Sequence, residues 1–178
     1  MSVRKTFQTG NQIRRLVSCV FVLSFAVATS HVLAAPKDGE KFKDWSARCV
    51  TPKGSEKEQC YIFQNLVQKK DEKFIQILNV LVGYITPDGK PGLYATAPLG
   101  VSLPHGVQLR IDDGEAVRFG YSRCDNGGCL GALALTDELI IQMKSGKQAF
   151  FTIHSGSQKP VSIAVSLQGF TAGFTALP

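Results

Sequence analysis

The sequence predicts an all-β protein, a sandwich or barrel of short antiparallel strands. Three observations carry this expectation. Apolar and polar residues alternate with period two through most of the chain. Turn residues interrupt the alternation at short intervals: TPKG at 51–54, TPDGKPG at 86–92, DDG at 112–114, NGG at 126–128 and SGSQKP at 155–160. Helical spacing is confined to two short stretches. Short half-buried strands bounded by Gly, Pro, Asn and Asp must cover one another's apolar faces, which favours a two-layered or closed sheet.

The elements follow in order. Trp45, Ala47 and Cys49 share one face of a first strand, and Cys60 to Val67 forms a second. Residues 74–82, FIQILNVLV, are apolar on both faces except at Gln76 and Asn79, the pattern of a central strand. Val107, Leu109 and Ile111 alternate with Gln108, Arg110 and Asp112. Val117, Phe119 and Tyr121 repeat the pattern, as do Val161, Ile163, Val165 and Leu167. Gln148 to His154 completes about eight strands. Thr136 is placed to cap a helix over DELIIQMK, with Asp137 and Glu138 in the first turn, Lys144 in the last and Gly146 beyond. Leu167, Phe170, Phe174 and Leu177 fall near helical spacing and mark an apolar stripe at the C-terminus.

The N-terminus reads as a secretory signal. Arg4, Lys5, Arg14 and Arg15 precede an apolar stretch from Leu16 to Val27. Val32-Leu33-Ala34 places small residues for cleavage after Ala34, with Ala35 as the alternative. The competing readings are an uncleaved anchor over Leu16–Ala35, a twin-arginine signal at Arg14-Arg15, and a lipoprotein box at Cys19. The box would have to close an apolar core, whereas Cys19 opens one. Removing residues 1–34 leaves 144 residues, expected as a single β-sandwich domain over 35–178 with no transmembrane span. It also removes four basic residues, leaving 16 Lys and Arg against 14 Asp and Glu, a net charge of +2. No Lys/Arg stripe survives, so nucleic acid is not expected as a partner.

Four of the five cysteines remain: Cys49, Cys60, Cys124 and Cys129. An even count in an exported chain argues for disulfides. Three connectivities are open, and spacing favours the local pairs Cys49–Cys60 and Cys124–Cys129. The stretch CDNGGC has turn chemistry, since Asp125, Asn126, Gly127 and Gly128 all tolerate positive φ, and its flanks read as strands. A stapled hairpin therefore explains it better than a redox site, which needs closer cysteines, or a zinc site, which needs four gathered ligands.

Catalytic signals are sparse. His105 sits in a turn, His154 ends a strand, and the two are expected to lie apart. Ser155 follows His154 directly, but neighbours on a strand point to opposite faces. Asp112, Asp113 and Glu115 lack the alternate spacing of a calcium loop and read as a solvated turn. There is no phosphate-binding loop, dinucleotide fingerprint or nucleophile elbow. No catalytic residue, metal or cofactor is expected.

The ordered set Phe42-x-x-Trp45-x-x-x-Cys49, Cys60, Tyr121-x-x-Cys124-x-x-x-Gly128-Cys129, the Leu139/Met143/Gly146 helix and Val165-Ser166-Leu167-x-Gly169-Phe170 resembles the invasion-associated locus B family of bacterial envelope proteins. The resemblance spans about Phe42 to Pro178. It implies an exported, immunoglobulin-like antiparallel β-sandwich with the same two local disulfides, and it brings no catalytic residues. The expected function is non-enzymatic: binding of an unknown protein or another envelope or host macromolecule, from the periplasm or the outer surface. Leu93 and Tyr94, in 86–100, the longest irregular stretch, are the expected contact residues. The alternatives are envelope homeostasis without a host, and, more remotely, an enzyme with a carboxylate site at Asp112, Asp113 and Glu115.

Overall fold

The structure, a computed structural model, describes residues 35–86, 88–156 and 159–178. The segment expected to be a signal, with Cys19 and Ala34, lies outside the described residues, and Ala35 opens them as an exposed residue.

Among the described residues eleven strands are formed, more than the eight or so expected. They are β1 (Lys41–Phe42), β2 (Trp45–Val50), β3 (Gln59–Lys70), β4 (Lys73–Gly83), β5 (Gly92–Ala97), β6 (Val107–Ile111), β7 (Ala116–Phe119), β8 (Tyr121–Asp125), β9 (Gly128–Ala134), β10 (Gln148–His154) and β11 (Pro160–Ser166). A seven-stranded sheet runs β1-β2-β3-β4-β5-β9-β8, and a four-stranded sheet runs β11-β10-β6-β7. Every pairing is antiparallel. The stretch 86–100 is thus not irregular throughout, because Gly92–Ala97 is a strand held between β4 and β9.

Period two decides which side chains meet. Ala47, Ile62, Val80, Val82, Leu93 and Ala95 from the larger sheet share one buried core with Val107, Leu109, Phe151 and Val165 from the smaller. Each large aliphatic or aromatic side chain so buried stabilises the fold by roughly 1.5–3 kcal/mol. The alternation weakens at strand ends, where Val117 and Val161 remain partly exposed. Two polar links tie the layers. The Trp45 indole Nε1 donates to the Ser166 carbonyl at 2.9 Å, and the Gln64 amide donates to the same oxygen at 2.6 Å.

Two helices lie against the core. In α1 (Asp137–Ser145) the Thr136 hydroxyl accepts from the Leu139 N–H at 3.3 Å, as its sequence position predicts, and Leu139, Ile140 and Met143 turn inward. In α2 (Phe170–Ala176) Phe170 meets Trp45 edge-on, with ring centroids 5.3 Å apart. Gly169 starts α2 at φ +89°, and a Cβ there would lie 1.8 Å from the Phe42 carbonyl oxygen, so only glycine fits. The Thr171 hydroxyl donates to the Lys144 carbonyl at 2.9 Å and joins the two helices.

The expectation for residues 74–82 holds for only half of β4. From Asn79 to Gly83 the strand is paired on both sides. Towards Lys73 it pairs with β3 alone, and the two strands continue as an arm turning at Asp71-Glu72. A register shift at Leu66/Val67 marks where the arm begins. Phe74 is 73% exposed there, with Ile75 and Val67 also open to solvent. An apolar run looks the same whether covered or bare, because burial depends on what neighbours the strand.

Candidate functional site

The disulfides form as spacing favours. Cys49 faces Cys60 across β2 and β3, and Cys124 faces Cys129 across β8 and β9. The Cα atoms are 4.1 and 4.0 Å apart, the close approach typical of a non-hydrogen-bonded antiparallel pair. In the CDNGGC turn the Asp125 side chain accepts from the Gly127 N–H at 2.8 Å. Positive φ falls on Gly128 alone of the four turn residues, and its backbone packs against the Ala97 carbonyl. Glu58 brings a carboxylate within 4.8 Å of both sulfurs of the first pair, but those sulfurs are joined to each other.

The acidic turn after β6 is a lock. The Asp112 carboxylate accepts from the Lys147 and Gln148 N–H groups at 2.9–3.3 Å, which fastens the β6–β7 turn to the start of β10. Those two N–H donors hold its pKa below the ordinary carboxylate value. Asp113 pairs with Arg110 at 3.6 Å, and Glu115 is exposed. A cavity of about 590 Å³ opens beside this turn, lined by Asp112, Lys147, Gln148, Phe150 and others. Its best-held carboxylate is committed to backbone amides, and a lowered pKa is the reverse of what a general acid needs.

The histidines are not apart. His105, in a 3₁₀ turn over Leu103–His105, stacks on His154 with centroids 4.4 Å apart. The Ser102 hydroxyl lies 2.8 Å from His105 Nδ1, and the Ser102 N–H donates to the His154 carbonyl at 2.8 Å. Sequence separation hid this contact, which arises because β10 ends beside the turn that leads into β6.

The remaining site is the outer face of the seven-stranded sheet. Cross-strand register sets its rows. Ser46, Phe63, Leu81, Tyr94 and Ala132 stand opposite one another across β2, β3, β4, β5 and β9. One row over lie Arg48, Tyr61, Gly83, Gly92 and Ala134; on the other side are Asn65, Asn79, Thr96 and Leu130. Tyr61, Phe63, Leu81 and Tyr94 are half-buried, whereas the alternate residues Ile62, Val80, Val82 and Leu93 are fully buried. Leu93 therefore belongs to the core and is no contact residue; of the expected pair, Tyr94 alone faces outward. The Gly83 and Gly92 backbones lie at one end of the face, where β4 ends and β5 begins, and a Cβ at Gly83 would lie 2.9 Å from the Tyr61 Cβ.

Within this face a shallow pocket of about 210 Å³ is lined by Arg48, Tyr61, Phe63, Asn79 and Leu81. The Tyr61 and Phe63 rings meet edge-on at 6.4 Å. Asp38 lies 3.6 Å from the Arg48 guanidinium. The signal for these residues was present in the alternation of β3 and β4, but which face was outer depended on the position of the second sheet.

These features define a class: a two-sheet β-sandwich with two cross-strand disulfides and an open, partly aromatic outer face. The sequence pattern of the invasion associated locus B (IalB) protein family matches residues 45–178, and the chain belongs to that family. Two invasion protein B homologs from Brucella abortus, of strain 2308 and of biovar 1 strain 9-941, are each 27% identical over 134 residues, covering 75% of this chain and 75% of theirs. The crystal structure of invasion associated protein B from Bartonella henselae superimposes with a TM-score of 0.64 at 21% identity, covering 75% of this chain and 89% of that one. It shows the same fold. Among the described residues no helix is long and apolar enough to cross a membrane.

Proposed function

We propose that residues 35–178 are the exported, mature domain of a bacterial envelope protein that acts by binding another macromolecule. The observation that carries this reading is the outer face of the seven-stranded sheet, where Tyr61, Phe63, Leu81 and Tyr94 stand side by side on a disulfide-clamped platform. Half-exposed aromatics on rigid strands lose little side-chain entropy on contact, so they serve as anchors. Two cross-strand disulfides fit an oxidising compartment outside the cytoplasm, and the basic N-terminal segment with its apolar stretch fits export. The names of the Brucella and Bartonella relatives connect the family with invasion, and a contact with host or envelope material is the corresponding role here.

Two measurements test this. Pull-down from envelope and host-cell fractions with the purified mature domain should yield a partner whose recovery falls with Tyr94→Ser. Equal recovery with and without that substitution would count against the outer face. Protease shaving of intact cells, with a periplasmic marker as control, then separates the two locations. Loss of the protein while the marker survives means surface display and host contact. Survival of both means a role inside the envelope.

A further inference from the structure

Resting on the binding role above, the geometry points to the chemistry of the ligand: we propose that the pocket formed by Arg48, Tyr61, Phe63, Asn79 and Leu81 seats one pyranose ring of an uncharged glycan. Three properties of the pocket lead there. Its volume, about 210 Å³, is below the roughly 300 Å³ at which drug-sized ligands begin to fit, and suits a single six-membered ring. Its walls combine two aromatic rings, Tyr61 and Phe63, with the polar heads of Arg48 and Asn79. A pyranose is built to match, with C–H bonds on its faces for an aromatic ring and hydroxyls around its edge. An Asn amide donates and accepts at once, and a guanidinium offers a fixed fork of donors to neighbouring hydroxyls. Asn79 makes one long bond, 3.5 Å from its Nδ2 to the Gln64 carbonyl, which a ligand can displace at little cost.

Charge argues for an uncharged ligand. Arg48 is the sole ionised group lining the pocket, and Asp38 stands 3.6 Å from it. A phosphate or nucleic-acid site would gather several unopposed cations. The pocket also lies on a longer track. Along β3 and β4 the same outer face continues through Asn65 and Val67 with Gln76, then Lys69 with Phe74 on the arm. At about 3.4 Å per residue, the eight steps from Tyr61 to Lys69 span roughly 27 Å, room for a chain of several sugar rings. Amide and apolar side chains share this track, so the two halves of the sugar-binding chemistry recur along it.

The test uses the intact mature domain on an array of neutral and uronate-bearing oligosaccharides. The expected result is binding to neutral glycans, weakened about tenfold by Phe63→Ser, the scale of one lost aromatic contact, and weakened also by Asn79→Ala. Thr152→Ala, on the opposite sheet, should leave binding unchanged. The Asn79 side chain is small and holds one long hydrogen bond, so Asn79→Ala keeps the test decisive if Phe63→Ser fails to fold. An empty array overturns the proposal, as does binding that survives both pocket substitutions. Binding confined to acidic glycans and abolished by Arg48→Ala also overturns it. If the array is empty while the Tyr94-dependent pull-down still recovers a protein, the glycan assignment fails and the binding role stands.

Discussion

Replacing both members of one disulfide by alanine should destabilise the two pairs unequally. Cys49–Cys60 spans a sequence separation of 11, and Cys124–Cys129 spans 5. In the chain-entropy account, loops of those lengths correspond to about 2.8 and about 2.1 kcal/mol. Both pairs sit directly opposite in antiparallel register, and each has one buried cysteine, Cys60 and Cys129. Cys60, with the half-buried Cys49, packs in the shared core whereas Cys124 and Cys129 do not, so truncating the first pair also removes core packing and the loop-length difference of about 0.7 kcal/mol is a lower bound. Removing both should cost about 5 kcal/mol, the whole stability of a marginal domain. The assay is urea unfolding followed by the fluorescence of Trp45, the only tryptophan, which is fully buried. With a slope of about 2 kcal/mol/M, each single-pair loss moves the midpoint by roughly 1 M, the Cys49/Cys60 variant further. A Cys124/Cys129 variant that loses as much as or more than the Cys49/Cys60 variant would refute the reasoning. Stability would then reside in native contacts at the β8–β9 turn, where Asp125 already holds the Gly127 N–H.

Other perturbations follow from single contacts. Gly169→Ala should lose more than the roughly 1–2 kcal/mol that a left-handed backbone alone imposes on alanine, because its Cβ meets the Phe42 carbonyl; a thermal melt measures it. Tyr121→Phe should not lower the melting temperature, since the Tyr121 hydroxyl is buried without a hydrogen-bond partner among the described residues. Burial also raises the Tyr121 pKa above 10.0, so the unfolded chain ionises first. Its stabilising contribution is full below pH 10 and lost above it, and Tyr121→Phe should remove that alkaline loss. The Asp112 pKa is lowered from 3.8 by the Lys147 and Gln148 amides, so its contribution is present above that value and lost as pH falls through the folded value. In acid unfolding the wild type and Asp112→Asn should therefore differ at neutral pH and converge well below pH 4.

Local chemistry carried most of the fold. Thr136 caps α1 because a hydroxyl three residues before Leu139 can reach its N–H, and that is visible in any window of the chain. The alternation of Val107, Leu109 and Ile111 likewise named the buried side of β6. What escaped depended on neighbours distant in sequence. Leu93 and Tyr94 are adjacent, and the position of the second sheet decides that the Leu93 side of β5 is core and the Tyr94 side is not. Phe74 and Val80 belong to one apolar run, yet β5 pairs beside the second and stops short of the first, and only Val80 lies within the shared core. The stacking of His105 on His154 joins residues 49 positions apart, which no spacing rule connects.

The same topology explains why a binding surface remains open. A sandwich with a seven-stranded and a four-stranded layer leaves inner surface on the larger sheet that the smaller cannot reach. α2 is spent there, setting Phe170 against Trp45 and Gly173 against Ile62, while α1 is tied to α2 through Thr171 and sends Leu139, Ile140 and Met143 into the shared core. Among the described residues nothing comparable lies over Tyr61, Phe63 and Tyr94, which keep partial exposure on the opposite side. Half-exposed aromatics add less to folding than buried ones, because the apolar area they remove from water is smaller. Here they are gathered where the strands are most rigid, between the Cys49–Cys60 link and the doubly paired half of β4. Rigidity lowers the entropy lost on binding, so a surface of this kind favours ligand contact at little cost to the fold.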